Sequence, residues 1–169
     1  MPTTKSYILG VALAGLGVFS SYISVDASSS SSSLNISITV PSSAILTLGT
    51  TSIRFIPDDP TLQPSVPAQE NPVSVLARTR SRGIPSLAVI ASDDLTDGAN
   101  IIPVTAISWT ADATPYIAGT MNKSTAQAAA LFATGSGSFQ SSFRYFLANS
   151  PLYVPGTYST TINYTLTAP

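Results

Sequence analysis

Apolar and polar side chains alternate along most of the chain after residue 33, which is the pattern of β-strands that place one face in a core and the other in water. The clearest stretch is the last one, residues 158–167, whose even positions are largely apolar or aromatic and whose odd positions are all polar. Pro155-Gly156 precedes this stretch and is typical of a turn. The pattern predicts a terminal strand over residues 158–167.

Similar alternation occurs in several earlier stretches that are bounded by glycine, proline or serine. The strongest of these has five side chains on one face, namely Phe139, Ser141, Phe143, Tyr145 and Leu147. A short, nearly continuous apolar run at residues 87–91 is typical of a central strand. Further strands are predicted over residues 34–40, 44–48, 53–55, 73–80 and 106–111.

The segments between these strands are mostly turns. Residues 57–72 contain five prolines and are predicted to form a loop, because proline cannot donate the ladder hydrogen bond of a central strand. Residues 92–100 are predicted to form a second loop. Residues 125–133 are rich in alanine, which favours a helix, but their apolar positions also alternate, so a strand is preferred over a brief helix. Strands at roughly ten-residue spacing predict an all-β, Ig-like antiparallel sandwich of about seven to nine strands over residues 34–169.

The first 27 residues have the three parts of a secretory signal peptide. Lys5 supplies a short positive region, residues 8–19 are apolar, and Val25 and Ala27 suit cleavage after Ala27. An uncleaved membrane anchor is the alternative, but the apolar stretch is shorter than the roughly 20 residues of a membrane span. The six serines of residues 28–33 predict a flexible tether. We therefore expect a protein that is secreted or held at the surface of a bacterial cell.

The composition excludes several classes of activity. The chain has neither cysteine nor histidine, so it cannot form a disulfide, a Ser–His–Asp triad, a cysteine nucleophile or an ordinary zinc site. Only 9% of the residues are charged and the formal net charge is −1, which provides no basic field for nucleic acid. We predict a protein without enzymatic activity or cofactor, whose function depends on contacts.

Three carboxylates lie close together in the loop at residues 92–100, at Asp93, Asp94 and Asp97. Oxygen ligands at this density form a candidate Ca²⁺ site if further ligands come from elsewhere. Their spacing does not match the EF-hand loop, and Asp97-Gly98 is also a common signal of a β-hairpin turn. A hairpin is therefore the preferred interpretation of this loop.

Paired carboxylates also hydrolyse glycosides, one as acid and the other as base or nucleophile. The acidic residues after the signal peptide are Asp58, Asp59, Glu70, Asp93, Asp94, Asp97 and Asp112. All lie in predicted loops, and none lies in a strongly apolar stretch that would favour its protonated form. Solvated surface carboxylates explain these residues better than a small glycoside hydrolase does.

Two further features suggest binding to polysaccharide. Arg78, Arg80 and Arg82 form a basic cluster, but three charges are few for a polyanion; a solvated strand face, or charges that protect a sheet edge from pairing, are the alternatives. Trp109 has the flat ring that stacks on sugars, yet it alternates with Ile107 and is predicted to lie in the core.

Residues 155–166 (PGTYSTTINYTL) resemble the C-terminal end of spore coat protein U-like and archaic chaperone–usher pilin domains, in which Gly-x-Tyr precedes a long alternating strand. The resemblance implies an immunoglobulin-like sandwich and assembly at the cell surface, although this chain lacks the cysteines and the terminal aromatic residue of that pattern. Residues 109–111 (WTA) and 164–166 (YTL) also resemble, in position, the paired Trp-x-Leu motifs of WxL wall-binding domains, but neither motif is intact.

Residues 28–40 have the form of a β-strand on a flexible tether. After the serines, four apolar side chains alternate with polar ones, namely Leu34, Ile36, Ile38 and Val40. Such a strand can add to the open sheet edge of a neighbouring subunit. It can also be the first strand of its own sandwich, which is the preferred interpretation because pairing within one domain needs no partner.

The leading functional prediction is a secreted, non-catalytic structural or adhesive protein of the cell surface, of the kind found in pilin-like appendages. The alternative is a carbohydrate- or cell-wall-binding module. The expected partners are further copies or homologous subunits, joined by strand addition, or a surface polysaccharide. Nucleic acid and a stable membrane anchor are not expected.

Overall fold

A computed structural model describes residues 31–169. The predicted signal peptide and the first three serines of the tether lie outside the described residues. The chain divides into two compact units, residues 1–38 and 39–169. In the first unit, residues 31–38 contain neither strand nor helix. No helix within residues 31–169 has the length and apolar character needed to cross a membrane.

The second unit is built almost entirely of β-strands. Seven of its strands have five or more residues: β1 (Ser43–Leu48), β3 (Val73–Arg80), β4 (Ser86–Ala91), β7 (Ile107–Ala111), β9 (Gln127–Leu131), β10 (Gly137–Ala148) and β11 (Ile162–Thr167). Four are shorter: β2 (Ser65–Pro67), β5 (Leu95–Asp97), β6 (Asn100–Ile102) and β8 (Gly119–Thr120). One short 3₁₀ helix covers Val104–Ala106. These strands confirm the predicted all-β antiparallel sandwich.

The long strand β10 organises the larger sheet. The order of the sheet is β1-β3-β10-β7-β8, and every pair in it is antiparallel. The first part of β10 pairs with β3 and the second part pairs with β7, and both neighbours are present at Phe143. The short strand β2 pairs with the last three residues of β10.

The smaller sheet has the order β11-β4-β9 and is also antiparallel. Its middle strand is β4, as its continuous apolar run predicted, and β9 confirms a strand within residues 125–133. A separate hairpin joins β5 and β6, with Asp97 paired to Asn100. Gly98 adopts a positive φ of 59° in this turn, a conformation that glycine tolerates at no steric cost. The predicted loop at residues 92–100 therefore contains a strand, and the Asp-Gly hairpin signal is confirmed.

The two sheets enclose one hydrophobic core. Its fully buried side chains include Trp109, Phe143, Leu87 and Met121. The indole N–H of Trp109 donates a 2.8 Å hydrogen bond to the Ile117 carbonyl, so the one polar atom of the ring is satisfied inside the core. The prediction that Trp109 is a core residue is confirmed.

One side of this core is not fully covered. The two neighbouring edge strands there, β1 and β11, contain no fully buried residue. Their inward-facing side chains are only half-buried and include Leu46, Leu48, Ile162, Tyr164 and Leu166. By contrast, the inward positions of β3 and β4 are almost completely buried. We call this half-covered side the open seam.

Further predicted segments also differ from the structure. The terminal strand covers Ile162–Thr167 rather than residues 158–167. Residues 34–40 do not form the first strand of the sandwich, which begins only at Ser43. Residues 53–55 are not a strand either, although Ile53 and Phe55 still turn toward the core. The predicted loop at residues 57–72 contains β2, which proline permits because β2 pairs on one side only and needs no N–H on the other.

Candidate functional site

An apolar cleft of about 660 Å³ opens in the seam, at the end of the sandwich where β1 finishes. Its first wall is formed by residues 156–162 and its second wall by residues 48–55. Its floor is formed by core side chains that include Ile102, Ile107 and Leu147. The volume lies in the range of roughly 300–1,000 Å³ that is usual for ligand pockets. The cleft is therefore large enough to bind several apolar side chains.

The first wall is formed by seven consecutive residues, 156–162. Ser159 exchanges two backbone hydrogen bonds with Thr96, of 3.2 and 3.3 Å, and the Thr161 carbonyl accepts one of 2.8 Å from the Ser92 N–H. Adjacent residues of an extended chain direct their backbone groups to opposite sides. The backbone of Thr160, which is part of the cleft lining, consequently points away from Ser92 and Thr96.

The second wall continues directly from β1. Ile53 and Phe55 are half-buried against the core. Between them, the Arg54 N–H donates to Glu70 Oε2 at 2.7 Å, and the Arg54 carbonyl accepts from the Gln69 N–H at 2.9 Å. These bonds attach the second wall to the loop at residues 68–70 without connecting it to the first wall.

Two tyrosines join the sheets beside the cleft. The hydroxyl oxygens of Tyr145 in β10 and Tyr164 in β11 lie 2.9 Å apart. Burial raises the pKa of both phenols, and the neighbouring Tyr145 adds to the increase at Tyr164. Both therefore stay protonated at neutral pH. Arg54 is the one charged residue among the described residues that line the cleft, so the cleft suits the binding of apolar groups rather than acid–base chemistry.

Residues 34–40, for which the sequence leaves a donor strand as the second interpretation, are exposed to solvent at every position. The exposed fractions are 84% for Leu34, 79% for Ile36, 80% for Ile38 and 59% for Val40. Soluble proteins rarely display contiguous apolar groups in this way unless a partner covers them. The segment is therefore a candidate interaction site.

The acidic loop forms an ion pair with a lysine. Lys123 Nζ lies 2.9 Å from Asp93 Oδ1 and 2.8 Å from Asp94 Oδ2. Asp97 points elsewhere, because its Oδ2 accepts a 3.1 Å hydrogen bond from the Thr157 N–H. Within residues 31–169 no three such side chains are grouped so that they could hold a metal ion. Lys123 thus neutralises the negative charge of Asp93 and Asp94, which a Ca²⁺ ion would need in order to bind there.

Because of this ion pair, we expect the stability of the protein to decrease slightly as the pH falls into the acid range. Hydrogen bonds from Lys123 lower the pKa of both Asp93 and Asp94. A carboxyl group whose pKa is lowered by folding stabilises the protein above its unfolded value of about 3.9, and this contribution is lost as the pH falls through the folded value. In thermal melts between about pH 6 and pH 2, the variant Lys123→Met should therefore lose less stability than the wild type.

The control for this comparison is Arg80→Met, which removes one cation without touching the loop and should keep the wild-type pH dependence. Equal pH dependence in Lys123→Met and the wild type would contradict a stabilising role for the ion pair.

Most of the remaining acidic residues of the described structure accept a hydrogen bond from a nearby group. Asp112 Oδ1 accepts from Arg144 Nε at 3.2 Å, Glu70 binds the Arg54 N–H, and Asp59 Oδ1 accepts from the Thr61 N–H at 2.8 Å. Asp58 is an exposed residue of the loop before β2. These contacts give most of these carboxylates a structural role.

The basic cluster does not protect a sheet edge. Arg78 and Arg80 are on the exposed face of β3, which is an interior strand between β1 and β10. Arg82 is exposed in the turn that follows β3. Arg78 and Arg80 are therefore best described as charges on a solvated strand face, which is one of the alternatives that the sequence leaves open.

Sequence reasoning did not find the cleft, because its walls come from segments more than a hundred residues apart. Alternation does assign three residues of the cleft lining, Tyr158, Ile162 and Tyr164, to the inward positions of the last predicted strand. What the sequence does not reveal is that the last strand lies at the edge of its sheet.

Comparisons of the chain with protein-family models, with curated proteins and with solved structures find no match. Fold and site together define the class: an antiparallel β-sandwich with a half-covered seam, an apolar cleft within it, and an exposed alternating segment before its first strand. The function is inferred from that geometry.

Proposed function

We propose that the protein is an exported, non-catalytic structural subunit of the cell surface that associates with further copies of itself by strand addition. The observation that carries this proposal is the exposure of four apolar side chains at every second position of residues 34–40. The predicted signal peptide supports export. The lack of histidine and cysteine supports a role that depends on contacts rather than on chemistry.

Strand addition satisfies both the backbone and the side chains of such a segment. Its backbone groups pair with an open sheet edge, while alternate side chains enter pockets. Burial of each apolar side chain contributes roughly 1.5–3 kcal/mol. Four of them offset a large part of the cost of ordering the segment and of associating two molecules, which is about 4–15 kcal/mol or more.

The resemblance of residues 155–166 to pilin-like domains points in the same direction. An adhesive or appendage role at the cell surface is the setting that this resemblance implies.

Replacing both Ile36 and Ile38 with aspartate is expected to abolish self-association, because an unpaired charge cannot be buried in an apolar site without a large penalty. The full chain should be secreted from a bacterial host and analysed by light scattering and by electrophoresis in mild detergent. The wild type should form a ladder of oligomers, whereas Ile36→Asp/Ile38→Asp should remain a monomer.

The matched control is Ser37→Asp/Thr39→Asp, which adds the same charge to the same segment at its polar positions. This control should retain the ladder. A wild-type protein that stays monomeric at high concentration would contradict the proposal, and so would equal loss of association in both double variants. Mass spectrometry of the secreted protein would test the predicted cleavage after Ala27 in the same samples.

A further inference from the structure

We propose that the exposed strand surface around Arg78 and Arg80 binds an acidic polysaccharide through the carboxylate groups of the polymer. Such binding is a function beyond strand addition, and a single copy of the chain is sufficient for it. We call this surface the arginine face. It consists of Ser43 and Ile45 of β1, Arg78 and Arg80 of β3, Ser138 of β10, and Arg82 in the turn after β3.

The sandwich separates its charges along its length. β3 ends at Arg80, beside the start of β10, so the three arginines of the arginine face lie together at that end. Six of the seven acidic residues of the described chain lie toward the other end, because they precede β3, follow β4 or lie beside the end of β10. They are Asp58, Asp59, Glu70, Asp93, Asp94 and Asp97.

The arginine face carries positive charge that the fold does not compensate. Within residues 31–169, ion pairs form at Lys123 and at Arg144, and none includes a guanidinium group of the arginine face. Three like charges close together repel one another. An anionic partner that lies across them removes this repulsion.

Strand pairing makes the arginine face flat and open. Arg78 and Arg80 are two residues apart on the same side of β3, which separates their Cα atoms by roughly 7 Å. Ile45 and Ser138 pair directly with Arg78 on its two sides. Ser43 pairs with Arg80, and all five side chains are exposed. Such a surface suits an extended polymer that lies along it better than a small molecule, which binds in an enclosing pocket.

The side chains of the arginine face suit a sugar acid. A planar guanidinium donates two parallel hydrogen bonds to one carboxylate, which lysine cannot do. The hydroxyls of Ser43 and Ser138 can both donate to and accept from the hydroxyl groups of a sugar ring. A membrane surface, by contrast, requires several apolar side chains that insert into it, and the arginine face has one, Ile45. A carboxylated polysaccharide is therefore favoured over an anionic membrane.

Three charges give weak binding by one copy. Exposed ion pairs contribute little individually, and salt screens them. A polysaccharide presents many identical carboxylates, however, so several copies joined by strand addition can each place an arginine face on the same polymer. Their combined binding is then stronger than that of one copy, without any new contact.

Retention on immobilised polygalacturonate at neutral pH tests the arginine face. The wild type should be retained in dilute buffer and released by about 1 M sodium chloride, where charges are screened within about 3 Å. Arg78→Gln/Arg80→Gln should lower the apparent affinity by about tenfold, as expected for the loss of two exposed ion pairs. The matched control is Lys123→Gln/Arg144→Gln, which removes the same charge outside the arginine face and should be retained as the wild type is.

Equal losses in these two double variants would show that net charge alone governs retention, and would overturn the inference. Equal retention of the wild type on uncharged dextran would do the same, as would binding to phosphatidylglycerol vesicles but not to polygalacturonate. If Arg78→Gln/Arg80→Gln abolishes the oligomer ladder but leaves retention unchanged, the arginine face contacts another copy instead. Circular dichroism should first show that each variant keeps the β-sheet spectrum of the wild type.

The segment variants separate this function from strand addition. Ile36→Asp/Ile38→Asp and Ser37→Asp/Thr39→Asp carry the same charge, but only the second should self-associate. Both should be retained on polygalacturonate, the second more tightly because its copies bind together. If the two are retained equally and the wild type is a monomer, the proposed function fails and the arginine face stands. If the second forms the ladder but neither is retained, the arginine face fails and the proposed function stands.

Discussion

Replacing Phe143 with alanine is expected to lower the free energy of unfolding by about 3–5 kcal/mol. Phe143 is completely buried and pairs with Val73 of β3 on one side and Ala111 of β7 on the other. Its ring meets that of Tyr116 edge to face at a centroid distance of 5.5 Å, and the ring of Tyr164 in the smaller sheet lies 6.0 Å away. Alanine would leave a cavity between two sheets whose backbones are fixed by their ladders.

Phe139→Ala is the matched control, because Phe139 lies on the same face of β10 but is only half-buried. Its loss should be clearly smaller, since less apolar surface returns to water and solvent can fill the space. Urea denaturation followed by the fluorescence of Trp109, the one tryptophan of the chain, measures both variants. Equal losses would contradict a core centred on Phe143.

Alternation predicted these strand faces because the backbone of a strand enforces a period of two. In β3, for example, Val73, Val75 and Ala77 are buried while Arg78 and Arg80 are exposed, as the pattern indicates. The same reasoning identified the inward face of β10 from Phe139 to Leu147. In β3 and β10, which have neighbours on both sides, the apolar face and the buried face coincide.

The pattern does not reveal which core a strand will join. Residues 34–40 alternate as clearly as β3 does, yet no strand of the described structure pairs with them. The cleft was equally hidden, because it depends on β1 and β11 becoming neighbouring edges, and their pairing partners lie far apart in the sequence. Local periodicity therefore predicted the sandwich, whereas the seam follows from its topology.

The sequence pattern also does not predict where a side chain makes the backbone hydrogen bonds that a neighbouring strand would otherwise make. Asn71 lies in a proline-rich stretch that indicates only a turn. In the structure, β3 stops pairing with β10 at Phe143 and β2 begins at Phe146, so the backbone of Tyr145 lies in a gap between them. Asn71 fills this gap: its Nδ2 donates to the Tyr145 carbonyl at 2.8 Å, and its Oδ1 accepts from the Tyr145 N–H at 2.9 Å.

Asn71→Ala is therefore expected to destabilise the protein by about 2–3 kcal/mol, because it leaves the Tyr145 N–H without its partner inside the fold. The carbonyl retains a 3.0 Å hydrogen bond from the Ala68 N–H, which limits the loss. Urea denaturation should be compared with Asn163→Ala, which removes an exposed asparagine of β11 and should change stability by no more than about 0.5 kcal/mol.

The same substitution also tests how the fold supports the cleft. Tyr145 forms part of the cleft lining and meets Tyr164 across the sheets. If copies associate through the cleft, loosening the Tyr145 backbone should weaken self-association as well as stability. In light scattering at a temperature where Asn71→Ala is still folded, its oligomers should dissociate at higher protein concentration than those of Asn163→Ala. Equal association of the two variants would show that the Tyr145 side of the cleft contributes nothing to binding.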